Sequence, residues 1–176
     1  EKILLEAEKL KKKLEKSGIL VYLDNRESYS SGWKFSEWEM KGIPIRIELG
    51  PRDLAKKQIV VVRRDTGEKQ SLSILTADKK LASLLKQIQA DLYAKAEKSL
   101  KKSIVKVDAL AGSEKELDAK KILFAPWCNS AECEELIKEK TGAKSLNSPL
   151  KQPAVTGKCF ACDKKAKAWF YFGRSY

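Results

Sequence analysis

The sequence predicts an α/β protein: helices and strands alternate around a mixed sheet, and a smaller α+β domain with four cysteines follows. Three observations predict it. Apolar residues recur at helical spacing over residues 1–17 and 77–99, short β-branched runs lie between those stretches, and the cysteines fall in two close pairs toward the end of the chain. The 176 residues are enough for one large domain or two small ones.

Taken in order, Ile3, Ala7, Leu10 and Leu14 mark one face of a first helix, with Gly18 where a C′ glycine belongs. Residues 19–24 (ILVYLD) read as a strand and residues 25–32 (NRESYSSG) as a polar loop. Residues 34–41 form a short amphipathic helix carrying Phe35, Trp38 and Met40, ended by Gly42. A strand over 43–49 follows, with Arg46 and Glu48 facing away from Ile45, Ile47 and Leu49, and then a turn at Gly50-Pro51. After a short connection, residues 58–63 (QIVVVR) read as a strand buried on both faces. Asp65-Thr66-Gly67 turns it into its hairpin partner, residues 68–74. Thr76 is expected to N-cap the long helix, whose apolar line is Leu81, Leu85, Ile88, Leu92 and Ala96.

A lysine-rich segment closes this part, so the expected domains are residues 1–101 and 102–176. In the second, residues 104–107 and 122–127 (ILFAPW) read as strands. Ser113 and Glu116 read as a capping box for a helix to residue 121, and residues 132–140 as a helix closed by Gly142. Residues 144–157 read as a loop, 159–162 as a tight turn and 167–172 as an aromatic strand.

A net charge of +12 suggests a polyanionic partner, nucleic acid before an anionic membrane. No apolar run is long enough to cross a bilayer, and the first residues are too charged for a signal peptide, so a cytoplasmic protein without a membrane partner is expected. The chain has no histidine, which removes His-based acid/base chemistry and every imidazole metal site. No glycine-rich phosphate-cradling loop is present.

The cysteines are Cys128-x4-Cys133 and Cys159-x2-Cys162, a spacing that brings four thiolates to one tetrahedral, structural Zn2+. Lys158, Lys164 and Lys165 beside the second pair favour the thiolate form. Two disulfides, with three possible connectivities, and a redox or iron–sulfur use of the pairs are the alternatives. Zinc knuckles often carry glycine after the second cysteine, where φ is positive. Here the residue is Asp163, which tolerates that conformation better than most.

Residues 21–54 (VYLDNRESYSSGWKFSEWEMKGIPIRIELGPRDL), the VVVRRDTGEK hairpin, the cysteine pairs and the ending WFYFGRSY together resemble the C-terminal part of prolyl-tRNA synthetase of the archaeal and eukaryotic type. The resemblance implies a class IIa anticodon-binding domain with a mixed sheet, lacking its first strand, and a zinc-binding domain after it. It implies that residues 35–53 face the anticodon of tRNA(Pro), whose second and third bases are guanines. Phe35 would stack on a base, and Glu39, Arg46, Arg52 and Asp53 would read or position guanine edges. Trp33 and Trp38 are read instead as core residues. Lysines of the first and long helices would meet phosphates. The Tyr176 carboxylate would approach a catalytic core absent from this chain. That core, part of the same polypeptide, would bind ATP and Mg2+ and form the homodimer, so this portion makes no prolyl-tRNA alone. A stand-alone RNA-binding or scaffold module of the same fold is the alternative. Periodicity alone reads residues 33–53 as a half-buried edge with a solvated charged face, and the resemblance reverses that reading.

Overall fold

The computed structural model describes residues 2–175. Contacts divide the chain into two units, residues up to Ala94 and residues from Lys95 on, the division falling within the longest helix.

The first unit opens with α1 (Lys2–Lys16), which buries Leu10 and Leu14. Gly18, at φ +79°, ends it as expected: the Gly18 and Ile19 amides bond back to the Glu15 and Leu14 carbonyls. After α2 (Ser31–Met40) comes β1 (Ile45–Glu48). The turn α3 (Pro51–Ala55), strands β2 (Gln58–Arg63) and β3 (Lys69–Ser73), and α4 (Ala77–Ser103) follow. The sheet β1-β2-β3 is antiparallel throughout. Its register sorts side chains by face: Ile47 lies opposite Val61 and Ile59 opposite Leu72, and these pack on Leu10, Leu14, Ala77 and Leu81 of α1 and α4. Each such buried aliphatic side chain contributes about 1.5–3 kcal/mol. The opposite face carries Arg46 beside Val62 and Glu48 beside Val60. That face holds the candidate interface.

Two expectations fail here. Residues 19–24 form no strand, although their side chains alternate as one. Ile19 and Val21 lean on the core while Leu20 is 99% exposed, and among the described residues no neighbouring strand completes a ladder. Alternation reports burial, but pairing needs a partner. Thr76 is not the cap of α4 either. A 3-10 turn, Ile74–Thr76, runs straight into the helix, and Ser73 caps that turn, its hydroxyl accepting from the Leu75 amide at 3.3 Å.

The second unit orders its strands β4-β5-β7-β6: β4 (Ile104–Lys106) parallel to β5 (Ile122–Trp127), and β7 (Ala168–Gly173) antiparallel to both β5 and β6 (Lys144–Ser145). One face packs Leu123, Ala125, Trp127 and Phe172 against Leu117 of α5 (Glu114–Asp118), Ile137 of α6 (Ala131–Thr141) and Phe160. The other stacks Phe124 between Trp169 and Tyr171. The capping box at Ser113 does not form. Ser113 is buried and helical, and its hydroxyl donates to the Leu110 carbonyl at 2.6 Å, so it closes the preceding turn instead.

Candidate nucleic-acid interface and metal centre

On the outer face of β1, Arg46 lies flat over Phe35 of α2, its Cζ 4.0 Å from the ring centroid. Arg46 Nε donates to Glu48 Oε1 at 3.0 Å, and one terminal nitrogen donates to Glu39. The other terminal nitrogen has no partner among the described residues. Phe35, Glu39, Arg46 and Arg64 line one shallow depression with Trp38, Ile43 and Val62, and its free volume of about 10 Å³ holds at most one water. The structure thus brings Phe35, Glu39, Arg46 and Glu48 together, with the arginine covering one face of the ring. Arg64, exposed and without a side-chain partner among the described residues, joins them, and only its position in the VVVRR run signalled it.

Arg52 and Asp53 stand apart from that cluster, on α3. The Asp53 carboxylate accepts from the Gly50 amide at 3.1 Å and from Gln58 at 3.4 Å, so it closes the first turn of that helix. Arg52 is exposed and has no side-chain partner among the described residues. Among the lysines expected at phosphates, Lys13 serves the fold: its ammonium bonds the Ile74 and Leu75 carbonyls and pairs with Asp78.

Trp33 and Trp38 belong to neither hydrophobic core, contrary to the sequence reading. Trp33 is stacked on Tyr29 at the surface. Trp38 is half-buried because its indole N–H donates to Asp24 Oδ2 at 2.8 Å and its ring meets Tyr22. Asp24 also takes both prongs of the Arg26 guanidinium, at 2.9 and 2.7 Å. Hydrogen bonds from Arg26 hold Asp24 well below the usual carboxylate range and lower Glu37, and those from Arg63 lower Asp65 and Asp91. All four carboxyls have depressed folded-state pKa values. Their stabilisation is therefore complete above the ordinary carboxylate range and lost as pH falls below about 4. With no histidine to titrate, unfolding of the first unit followed by denaturant should show a midpoint flat from pH 5 to 8 and falling below pH 4. A midpoint that drifts between pH 5 and 8 would refute this origin.

In the second unit the four cysteine Sγ atoms all lie within 4.8 Å of one another. Cys128 and Cys162 are 3.5 Å apart and Cys133 and Cys159 3.6 Å, and all four are free thiols. A tetrahedral ion with Zn–S bonds of about 2.3 Å needs S–S edges of about 3.8 Å, so the donor set fits. Three elements deliver it. Cys128 follows β5, Cys133 sits in the first turn of α6, and the 159–162 turn is pinned where the Cys159 amide bonds the Lys164 carbonyl and the Phe160 amide bonds the Pro126 carbonyl. Asp163 adopts φ +60°, the conformation expected of the residue after the second cysteine. Ser130, which the sequence reading missed, ties two ligands together: it caps α6 by accepting from the Cys133 amide and also accepts from the Cys128 thiol. Its signal was a serine three residues before the first-turn cysteine. Burial raises Cys133 and Cys162; at Cys128 it is outweighed by the hydrogen bonds that the Ser130 hydroxyl, turned to donate, and the neighbouring thiols give the thiolate form, which bring it down to about 7.

The chain's end is anchored up to Arg174, whose Nε donates to the Thr141 carbonyl at 2.6 Å and whose Nη1 meets Asp118 at 2.5 Å. Tyr176 lies outside the described residues.

The antiparallel α/β unit and the four-thiol α+β unit each match a family of aminoacyl-tRNA synthetase accessory domains. Residues 1–84 match the family described as anticodon binding domain. Residues 112–176 match the family described as prolyl-tRNA synthetase, C-terminal, and the chain belongs to the prolyl-tRNA synthetase family as a C-terminal portion. It is 41% identical over 167 residues to the cytoplasmic proline–tRNA ligase of Arabidopsis thaliana, covering 91% of this chain and 32% of that protein. It is 38% identical over 192 residues to the bifunctional glutamate/proline–tRNA ligase of Cricetulus griseus, covering 100% and 13%. A crystal structure of prolyl-tRNA synthetase from Cryptosporidium parvum, complexed with L-proline and AMP, is similar with a TM-score of 0.90 at 40% identity, covering 97% of this chain and 36% of that one. The chain therefore spans at most 32% of the length of these two curated relatives.

Proposed function

We propose that this chain recognises the anticodon of tRNA(Pro) and holds a structural Zn2+, as part of an ATP-dependent ligase that joins proline to that tRNA. In this reading residues 1–101 are the anticodon-binding domain and residues 102–176 the zinc-binding domain. ATP and Mg2+ belong to a catalytic domain of the same polypeptide, through which the ligase forms a homodimer in the cytoplasm. One observation carries the reading: a guanidinium, two carboxylates and an aromatic ring converge on one solvent-facing sheet surface within the family's anticodon-binding domain. Carboxylates accept from guanine N1 and N2, and a guanidinium donates to O6 and N7, so this set of groups suits guanine. A base would displace Arg46 from the Phe35 ring to stack there, Arg64 adds a cation at the edge of the depression, and Arg52 lies apart on α3.

Cys128, Cys133, Cys159 and Cys162 would hold the zinc, which when bound cross-links β5, α6 and the 159–162 turn and leaves no open coordination position. The surrounding residues' task is positional: Ser130 orients Cys128 and Cys133, and the Cys159–Lys164 and Lys164–Cys162 backbone bonds close the turn that carries Cys159 and Cys162.

Binding of a proline tRNA transcript should lose about 10³-fold or more affinity between 50 and 200 mM salt. Replacing the middle anticodon guanine should weaken binding by about tenfold or more. Equal affinity for any tRNA at all salt concentrations would favour a scaffold module instead.

A further inference from the structure

Tyr29 and Trp33 lie outside both hydrophobic cores, yet they form a parallel pair, rings 4.0 Å apart and 15° from coplanar. Tyr29 is 42% exposed and Trp33 46%. Arg26 Cζ lies 4.9 Å from the Tyr29 centroid and 5.4 Å from the Trp33 centroid. A cation stacked beyond one ring would be far more distant from the other, so the near-equal separations put the guanidinium on the flank of the pair and clear of both outer ring faces. No further ring stacks on either residue among the described residues.

This surface is also held in place. Asp24 and Glu37 clamp Arg26, with Glu37 at 2.5 Å, and the Ser30 hydroxyl caps α2 by accepting from the Trp33 amide at 3.3 Å. Rings recruited only for stability would be driven into a core. These are kept in water, ordered and flat, on the helix that also carries Phe35. Residues 33 and 35 are separated by roughly 200° around a helix, so one base cannot meet both rings.

We propose that the Tyr29–Trp33 pair is a second stacking platform, taking an unpaired nucleobase of the bound RNA outside the triplet read at the Phe35–Arg46 face. This rests on the tRNA reading above. A nucleobase is the occupant that matches a pre-ordered pair of parallel rings flanked by a cation, on a chain of net charge +12 and on the helix shared with the anticodon face.

The test uses the 176-residue chain and proline tRNA transcripts carrying 2-aminopurine at one loop position outside the triplet at a time. The wild-type chain should quench one of these positions. Trp33→Leu and Tyr29→Leu should remove that quenching and weaken binding about tenfold, and Trp33→Phe should restore most of both. Circular dichroism and melting should match wild type in each. If Trp33→Leu fails to fold, Tyr29→Leu and Trp33→Phe carry the comparison. Quenching and affinity unchanged in Trp33→Leu would overturn the platform and leave the rings to a protein contact, as would a wild-type titration that quenches no loop position. In both cases guanine-dependent binding through Arg46 would leave the anticodon reading standing. A wild-type chain that binds no transcript overturns both.

Discussion

Zinc stripped by a strong chelator should melt the second unit while the first stays folded. Three of the four cysteines are buried within the core that contains Leu117, Ile137 and Phe172, so the ion site and the hydrophobic core are one structure. Without metal, four thiols would face one another with no bond joining them, and the α6, β5 and 159–162 segments would lose their shared anchor. Loss of a structural metal belongs with the largest single-site effects, about 4 kcal/mol or more. At roughly 4–8 °C per kcal/mol for a domain of this size, Cys159→Ser should lower that unit's melting by about 20 °C. Trp127 and Trp169 report the second unit and Trp33 and Trp38 the first, so near-ultraviolet dichroism of single-tryptophan variants separates the two transitions. Elemental analysis should find about one zinc per chain. Metal-free protein that melts like wild type would overturn the site.

Much of this architecture was legible because local chemistry and long-range packing agree. Leu10 and Leu14 stand at helical spacing and enter the core, QIVVVR is the central strand, and Gly142, with φ +71°, ends α6 where glycine was expected. The cysteine spacing foretold the cluster because short loops constrain where their ends can go. The failures share a cause. Residues 19–24 alternate like a strand but find no ladder partner, and Ser113 and Thr76 have capping chemistry while other hydroxyls or turns do that work. Propensity names a residue's options, and distant neighbours choose among them.

The candidate interface was legible residue by residue but not in its arrangement. Arg46 and Glu48 share a face because strand period dictates it. That Phe35 would carry Arg46 on its ring, that Asp53 would turn inward to cap α3, and that Trp33 would stay in water all depend on where α2 lies on the sheet. No local pattern encodes that placement. Tryptophan's size argued for the core, and its partner Tyr29 sat in a loop that looked merely polar.

Arg46→Ala should weaken cognate tRNA binding by about 1–3 kcal/mol and leave the fold intact. The fold should survive because Arg46 points to the face opposite Ile45 and Ile47, which pack against the core. Two effects add in the loss. The guanidinium no longer donates to a guanine edge, and Glu39 loses its cation while Glu48 keeps only Lys69 at 3.8 Å, so negative charge on this face is less neutralised toward phosphate. A double-mutant cycle separates them. Pairing Arg46→Ala with replacement of the middle anticodon guanine should be less than additive by about 1 kcal/mol or more if the residue reads that base, and additive if it acts only through charge. Arg46→Lys sharpens the distinction, since lysine keeps the charge but loses the planar fork and should restore the salt dependence without restoring the preference for guanine. Unchanged binding in Arg46→Ala would return this face of β1 to a solvated sheet edge.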